Sequence, residues 1–291
     1  MIKKRQILFY LFPALTVTVL FFIVPIIYII VVSFYKWNGL GEMEWIGIKN
    51  YINVVGNDQI FRTAVMNTIL WIGTACFIHI PLAIVLALLL NRKPYGWKQL
   101  RVLYFIPNVI STTAIAFLWY FIFHVDVGLL NNILSKLGLG KYCISWLGTL
   151  ETAKYCVQVP FALYVGLSMI IFFTQLTTIS PELYEAAEVD GATKFQKDIY
   201  ISLPLLKPAI ITNLLLNIAF CLKNFEYPSL MTAGGPANST MNLSLYIYWK
   251  MVSVNKYGES MVASLVTVML GLVVMIVIKQ FDKGEKRQNE K

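Results

Sequence analysis

The sequence predicts an all-α polytopic membrane protein with six transmembrane helices. Three observations carry that expectation. Of 291 residues, 58% are hydrophobic and only 13% charged, about half the charged share of a soluble domain, and the mean hydropathy is +0.67. Six apolar stretches reach the roughly 20 residues that a bilayer demands. Lys and Arg also divide unequally between alternate loops, which is how a membrane protein's orientation is set.

The spans are expected at 7–34, 64–90, 102–123, 157–177, 209–230 and 260–279. The first follows a basic start, Lys3 to Arg5. It is too long for a signal peptide and no small-residue cleavage pattern follows, so it reads as a retained helix. The fifth is the weakest, because only Ala209 to Leu222 is continuously apolar before Lys223, Asn224 and Glu226. The termini, the 91–101 loop and the 177–208 loop hold 15 Lys and Arg, against 9 in the other loops together with Lys223 at the outer end of span five. The positive-inside rule then makes both termini cytoplasmic. The expected domains are an N-terminal helix with its outer loop (1–63), a five-helix core (64–285) containing the inner loop 178–208, and a cytoplasmic tail (286–291).

Composition excludes several functions. The net charge of +9 is spread through short loops and tails, a topogenic pattern and not a nucleic-acid surface. Cys76, Cys143, Cys156 and Cys221 form no CxxC pair and the chain has two histidines, so no metal site is expected. A disulfide between Cys143 and Cys156 is conceivable near the outer face, but two unpaired thiols are expected. The chain has no Walker A loop, HExxH or nucleophile elbow, so it is not read as an enzyme. No acidic side chain, Lys or Arg sits clearly inside a span, which argues against an ion-coupled carrier.

What remains polar is informative. Segment 178–208 leaves the membrane and returns to it. Helix formers from Glu182 to Ala187, a break at Asp190-Gly191, helix-compatible residues from Ala192 to Tyr200 and a close at Leu203-Pro204 predict a helix–turn–helix knob. It holds five acids against three bases, so it is not there for topology. In span five, Asn213, Asn217 and Asn224 cover about 40° of the helix circumference, with Cys221 near the same face. Hydrogen bonding between helices and a lining for a neutral, hydroxyl-rich solute account for that stripe equally well. His79, beside Pro81, is expected to be a buried neutral side chain bonded to a neighbouring helix. Tyr164 in span four is a core residue by default, or a stacking surface for a sugar ring. The run 232–240 must turn, and Leu243–Val252 is too short to span, so it is expected to be interfacial or re-entrant.

Glu185-Ala186-Ala187, Asp190-Gly191-Ala192 and Ile201-Ser202-Leu203-Pro204 together resemble the cytoplasmic loop signature of bacterial ABC importer permeases. Thr232 to Thr240 resembles the TxGGPxxxT segment of the carbohydrate-uptake group, followed by Tyr246-Ile247-Tyr248 and Tyr257-Gly258. Phe12-Pro13, Pro25, Ser33-Phe34, Trp37-Asn38, Gly47 to Tyr51 and Phe105-Ile106-Pro107 extend the likeness over nearly the whole chain. Asp198 departs from the pattern, which usually has an aromatic residue there. The resemblance implies a type I ABC importer permease in the bacterial cytoplasmic membrane, moving a sugar or oligosaccharide by alternating access. It implies a second homologous permease, two ATPase subunits that hold ATP and Mg, and an extracytoplasmic solute-binding protein as partners. No cofactor would be bound by this chain. Glu185, Ala186, Ala187, Asp190, Gly191, Ala192, Leu203 and Pro204 would couple to the ATPase. Tyr164, Leu167, Asn217, Cys221 and Asn224 would lie on the substrate path. Glycerol phosphate is the alternative solute, and a scaffold or sensor subunit without transport is the alternative class.

Overall fold

The computed structural model describes residues 4–289, with side chains described from 10 to 280; the side chains of the expected tail 286–291 lie outside that range. Four helices are long and apolar enough to span: Tyr10–Val32, Gln59–Asn91, Ala153–Leu176 and Tyr257–Gln280. Two bent pairs bring the number to six if each is counted as one span, Trp97–Asn108 with Thr112–Ile122 at 95°, and Lys194–Leu205 with Lys207–Lys223 at 65°.

Two expected spans are thereby redrawn. The stretch 102–123 is not one helix. Pro107 removes a backbone donor, and Ser111, in extended conformation, accepts from the Ala114 N–H at 3.2 Å to start a new helix. The fifth span stops at Lys223, Asn224 is extended, and a separate short helix Glu226–Thr232 follows. Lys223, Asn224 and Glu226 interrupt the apolar run at that end.

Three prolines within or near spans follow a π-turn: Val19–Ile23 before Pro25, Ala75–His79 before Pro81, and Asp198–Ser202 before Pro204. A proline cannot donate to the preceding turn and its ring crowds the carbonyl there. The wider turn keeps the helix continuous around that defect.

The chain forms two compact units. One comprises the residues up to Arg62 with Tyr246–Leu270; the other comprises Thr63–Leu245 with the chain from Gly271 on. The first unit is held by a clamp that uses the family-like motifs outside its spans. Asn50 is buried and donates to the carbonyls of Ser33 and Tyr35 at 2.9 and 2.8 Å. The Ser33 and Tyr51 hydroxyls bond at 2.6 Å. Tyr35 and Lys36 pair antiparallel with Trp45 and Glu44. A Cβ at Gly258 would collide with the Tyr35 carbonyl and the Asn50 amide, so only glycine fits. Beside it, Lys250 lies 2.9 Å from Asp58 and 2.6 Å from Glu259, all three nearly buried. Burial pushes the Asp58 carboxyl up, but hydrogen bonds from Lys250, Tyr246 and the Phe61 backbone outweigh it and hold the group below 3.8. Burial pushes Lys250 down, but its bonds to Glu259 and Asp58 raise it above 10.5.

In the second unit the fourth span packs on the second where Ala83 and Ala87 are fully buried. Small residues let two membrane helices approach closely. The 232–240 run folds back as expected. Thr232 and Thr240 join hydroxyls at 2.7 Å. Buried Asn67, from the second span, donates to Ser239 and Met241 carbonyls at 2.7 and 2.8 Å. The segment after it is the short helix Leu243–Tyr248. All four cysteines are free thiols.

Candidate functional site

The knob forms as a helix, a left-handed turn and a second helix. Pro181–Val189 begins with proline at its first position, where the missing N–H costs nothing. Gly191 has φ +78°, a conformation that penalises any Cβ. The Ala192 N–H bonds back to the Ala187 carbonyl at 2.8 Å, and that of Gly191 to Glu188 at 3.1 Å, closing the helix end. Thr193 and Gln196 then form a capping box. Tyr184 and Ser202 hydroxyls, 2.9 Å apart, tie the two halves together.

Its surface is open. Glu185, Ala186, Asp190, Gly191, Leu203 and Pro204 are exposed, and Ala187 and Ala192 are half-buried. Val189 is 89% exposed, Tyr200 75% and Phe195 69%. An apolar patch of this kind, rimmed by charge, marks a partner surface. Asp198 accepts a charged hydrogen bond from Arg92. The departure from the aromatic pattern therefore supplies an ionic tie between the knob and the end of the second span.

Above the knob, in the same unit, lies a cavity of about 210 Å³. Three of the five expected path residues line it: Tyr164, Leu167 and Asn217. Asn213 lines it too. Cys221 does not; its thiol is buried and donates to the Trp71 carbonyl at 3.4 Å. Asn224 is 2% exposed, is not among the lining residues, and its amide N and O find no hydrogen-bond partner among the described residues. An unbonded buried polar group costs about 1–3 kcal/mol.

The fourth span breaks at this cavity. Tyr164 has φ −85° and ψ 62°, the centre of an inverse γ-turn, and its hydroxyl accepts from Trp119 Nε1 at 2.8 Å. The next helix starts at Gly166, where a Cβ would collide with the Tyr104 carbonyl and the Asn108 amide. His79 stacks on Phe161 at 4.7 Å and bonds to the Phe161 carbonyl at 2.8 Å and Ser168 Oγ at 3.1 Å, the helix-to-helix role expected of it. Sequence reasoning missed Ser168, Asn108 and Thr112 as cavity residues. Ser168 sits one turn beyond Tyr164, on the same face, which was the available signal. Among the described residues, no charged side chain lines the cavity.

Comparison with known proteins follows this geometry. Residues 79–287 match the sequence profile described as binding-protein-dependent transport system inner membrane component. A probable ABC transporter permease protein of Bacillus subtilis, YurN, is 32% identical over 99% of this chain and 100% of its own length. The lactose transport system permease protein LacF of Rhizobium radiobacter is 32% identical over 81% of this chain and 80% of its own. Among solved structures, a chain of a bacterial ABC transporter involved in the import of the acidic polysaccharide alginate superposes with TM-score 0.82 at 25% identity, covering 96% of both chains.

Proposed function

The chain belongs to the family of binding-protein-dependent transport system inner membrane components, and from that premise we propose that it is the permease subunit of an ATP-driven importer for uncharged sugars or oligosaccharides. It is a multi-pass protein of the plasma membrane. The observation that carries the sugar reading is the cavity at Tyr164, Leu167 and Asn217, where amides, hydroxyls and aromatic rings stand among aliphatic side chains. Amides offer donors and acceptors to sugar hydroxyls. Cys221 lies further along the same helix and Asn224 just past its end, and the unbonded Asn224 amide supports a place for it on the path when the helices rearrange. A phosphate or a uronate would meet no Lys or Arg among the described residues of this cavity and would lose hydration without compensation, so glycerol phosphate and acidic polysaccharides fit less well. Lys223 is exposed and outside the lining.

The knob is the receiver of force. Glu185 to Ala192, with Leu203 and Pro204, present exposed groups and two small alanines to an ATPase subunit, one under each of two homologous permeases. ATP and Mg are held and hydrolysed there, not on this chain. ATPase closure draws the knobs together, and the bent fifth span passes the motion to the cavity as a rigid-body rearrangement. A binding protein delivers solute from outside. The test is uptake by cells carrying the complete transport system, using radiolabelled lactose, maltose and an alginate trisaccharide. A neutral sugar should be taken up and Asn217→Leu should impair that uptake with the ATPase still assembled. Uptake of the alginate trisaccharide alone, or an unaffected Asn217→Leu variant, overturns the reading.

A further inference from the structure

The break at Tyr164 leaves a carbonyl without its usual donor. In an unbroken helix the Val165 N–H would reach the Phe161 carbonyl; here it bonds to Leu163 at 2.9 Å. His79 Nδ1 takes its place, 2.8 Å from the Phe161 oxygen. A carbonyl only accepts, so Nδ1 carries the proton. The ring is 4% exposed and, among the described residues, no carboxylate lines the cavity, so a second proton would bury an unpaired charge. Nε2 is therefore an acceptor, and Ser168 donates its hydroxyl hydrogen to it across 3.1 Å. With that hydrogen committed, Ser168 Oγ accepts from Asn217 Nδ2 at 3.2 Å. The second Nδ2 hydrogen goes to the Asn213 carbonyl at 2.9 Å. A flipped amide would set Oδ1 against that carbonyl, acceptor facing acceptor.

We propose that His79 and Ser168 are positioning residues that hold Asn217 with both amide hydrogens occupied, so that Oδ1 is the group it offers to solute. Tyr164, whose oxygen already accepts from Trp119, keeps its own hydrogen to donate. The cavity then pairs one fixed acceptor with one donor, which suits a sugar hydroxyl and rejects an anionic oxygen at Asn217. This selectivity rests on the cavity being the solute path; the direction of the relay does not.

The two are separated experimentally. The chain has two histidines, so His124→Gln leaves His79 alone in ¹⁵N-histidine NMR of the full chain in lipid nanodiscs. A single ring form protonated at Nδ1, shifted at Nε2 by Ser168→Ala, is expected. The Nε2-protonated form, a tautomer mixture or an imidazolium overturns the relay. In the uptake panel, Ser168→Ala and His79→Phe should each raise KM for the transported neutral sugar about fivefold, the loss of one oriented hydrogen bond. Ser168→Thr, which keeps the hydroxyl, should recover part of that loss. If Asn217→Leu impairs uptake while Ser168→Ala and His79→Phe do not, the positioning role is wrong and the path stands. If Asn217→Leu is silent, or neither lactose nor maltose is taken up, the path reading falls and the NMR result alone decides the relay.

Discussion

The knob and the clamp of the first unit are both polar connections between membrane helices, and they treat charge in opposite ways. In the knob, Lys197 meets Glu188 at 3.0 Å, but the glutamate side chain is 75% exposed, and apolar Val189, Phe195 and Tyr200 face outward. In the clamp, Lys250, Asp58 and Glu259 are 8 to 15% exposed and bonded to one another, with Asn50 stitching two carbonyls behind them. Exposed pairs contribute little to stability, whereas a buried charge that loses its partners is costly. The clamp is thus a rigid frame. The knob's own contacts keep its form and leave Val189, Phe195 and Tyr200 exposed, the face proposed for a partner.

The comparison breaks first at Lys250. Replacing Lys250→Met leaves Asp58 buried without its counter-charge and Glu259 held by Lys256 alone, and should destabilise the clamp by about 3–5 kcal/mol, seen as a lowered melting midpoint in detergent. A wild-type midpoint would mean that the clamp is no frame. Its pH window follows from the same groups. The Asp58 contribution is complete above its unfolded value of 3.8 and is lost as pH falls through its lower folded value. The Lys250 contribution is complete below 10.5 and is lost as pH rises through its higher folded value. Clamp stability should therefore be flat between 3.8 and 10.5 with respect to these two groups, and Lys250→Met should lose the decline at both ends.

Gly191→Val is next in size. Nothing lies within 4 Å of a Cβ there, so the folding cost is only the left-handed backbone penalty, about 1–2 kcal/mol. Membrane insertion should survive while uptake is lost, because the side chain stands on the proposed docking face. Normal uptake would show that the face is not used. The smallest effect belongs to the tie between Arg92 and Asp198. Either Arg92→Asp or Asp198→Arg should weaken it by about 0.2–1 kcal/mol, and the double exchange should restore it. ATP consumed per solute carried is the sensitive readout; an unchanged ratio in both single variants would make the pair incidental.

Local chemistry made much of this readable. Gly191, Pro181 and the Thr193 cap act within a few residues of themselves, so the knob was legible in outline, and hydropathy placed the spans. The stripe on the fifth span was legible as a periodicity, but its members separate. Asn217 lines the cavity, Cys221 turns to Trp71 and Asn224 is buried beyond the helix end. A face of a helix can be read from spacing, whereas what stands opposite each turn of it cannot.

The sequence by itself determined the class: apolar length, charge asymmetry and a polar loop with left-handed glycine are properties of neighbouring residues. Only the tertiary structure decided the site. His79 finds its carbonyl 82 residues away and its hydroxyl 89 away, and Asn67 closes a loop more than 170 residues along the chain. The break at Tyr164 turns the Val165 N–H to Leu163 and leaves the Phe161 carbonyl for His79. A hydrogen bond needs its partner within about 3 Å, and at such separations that distance is set by packing.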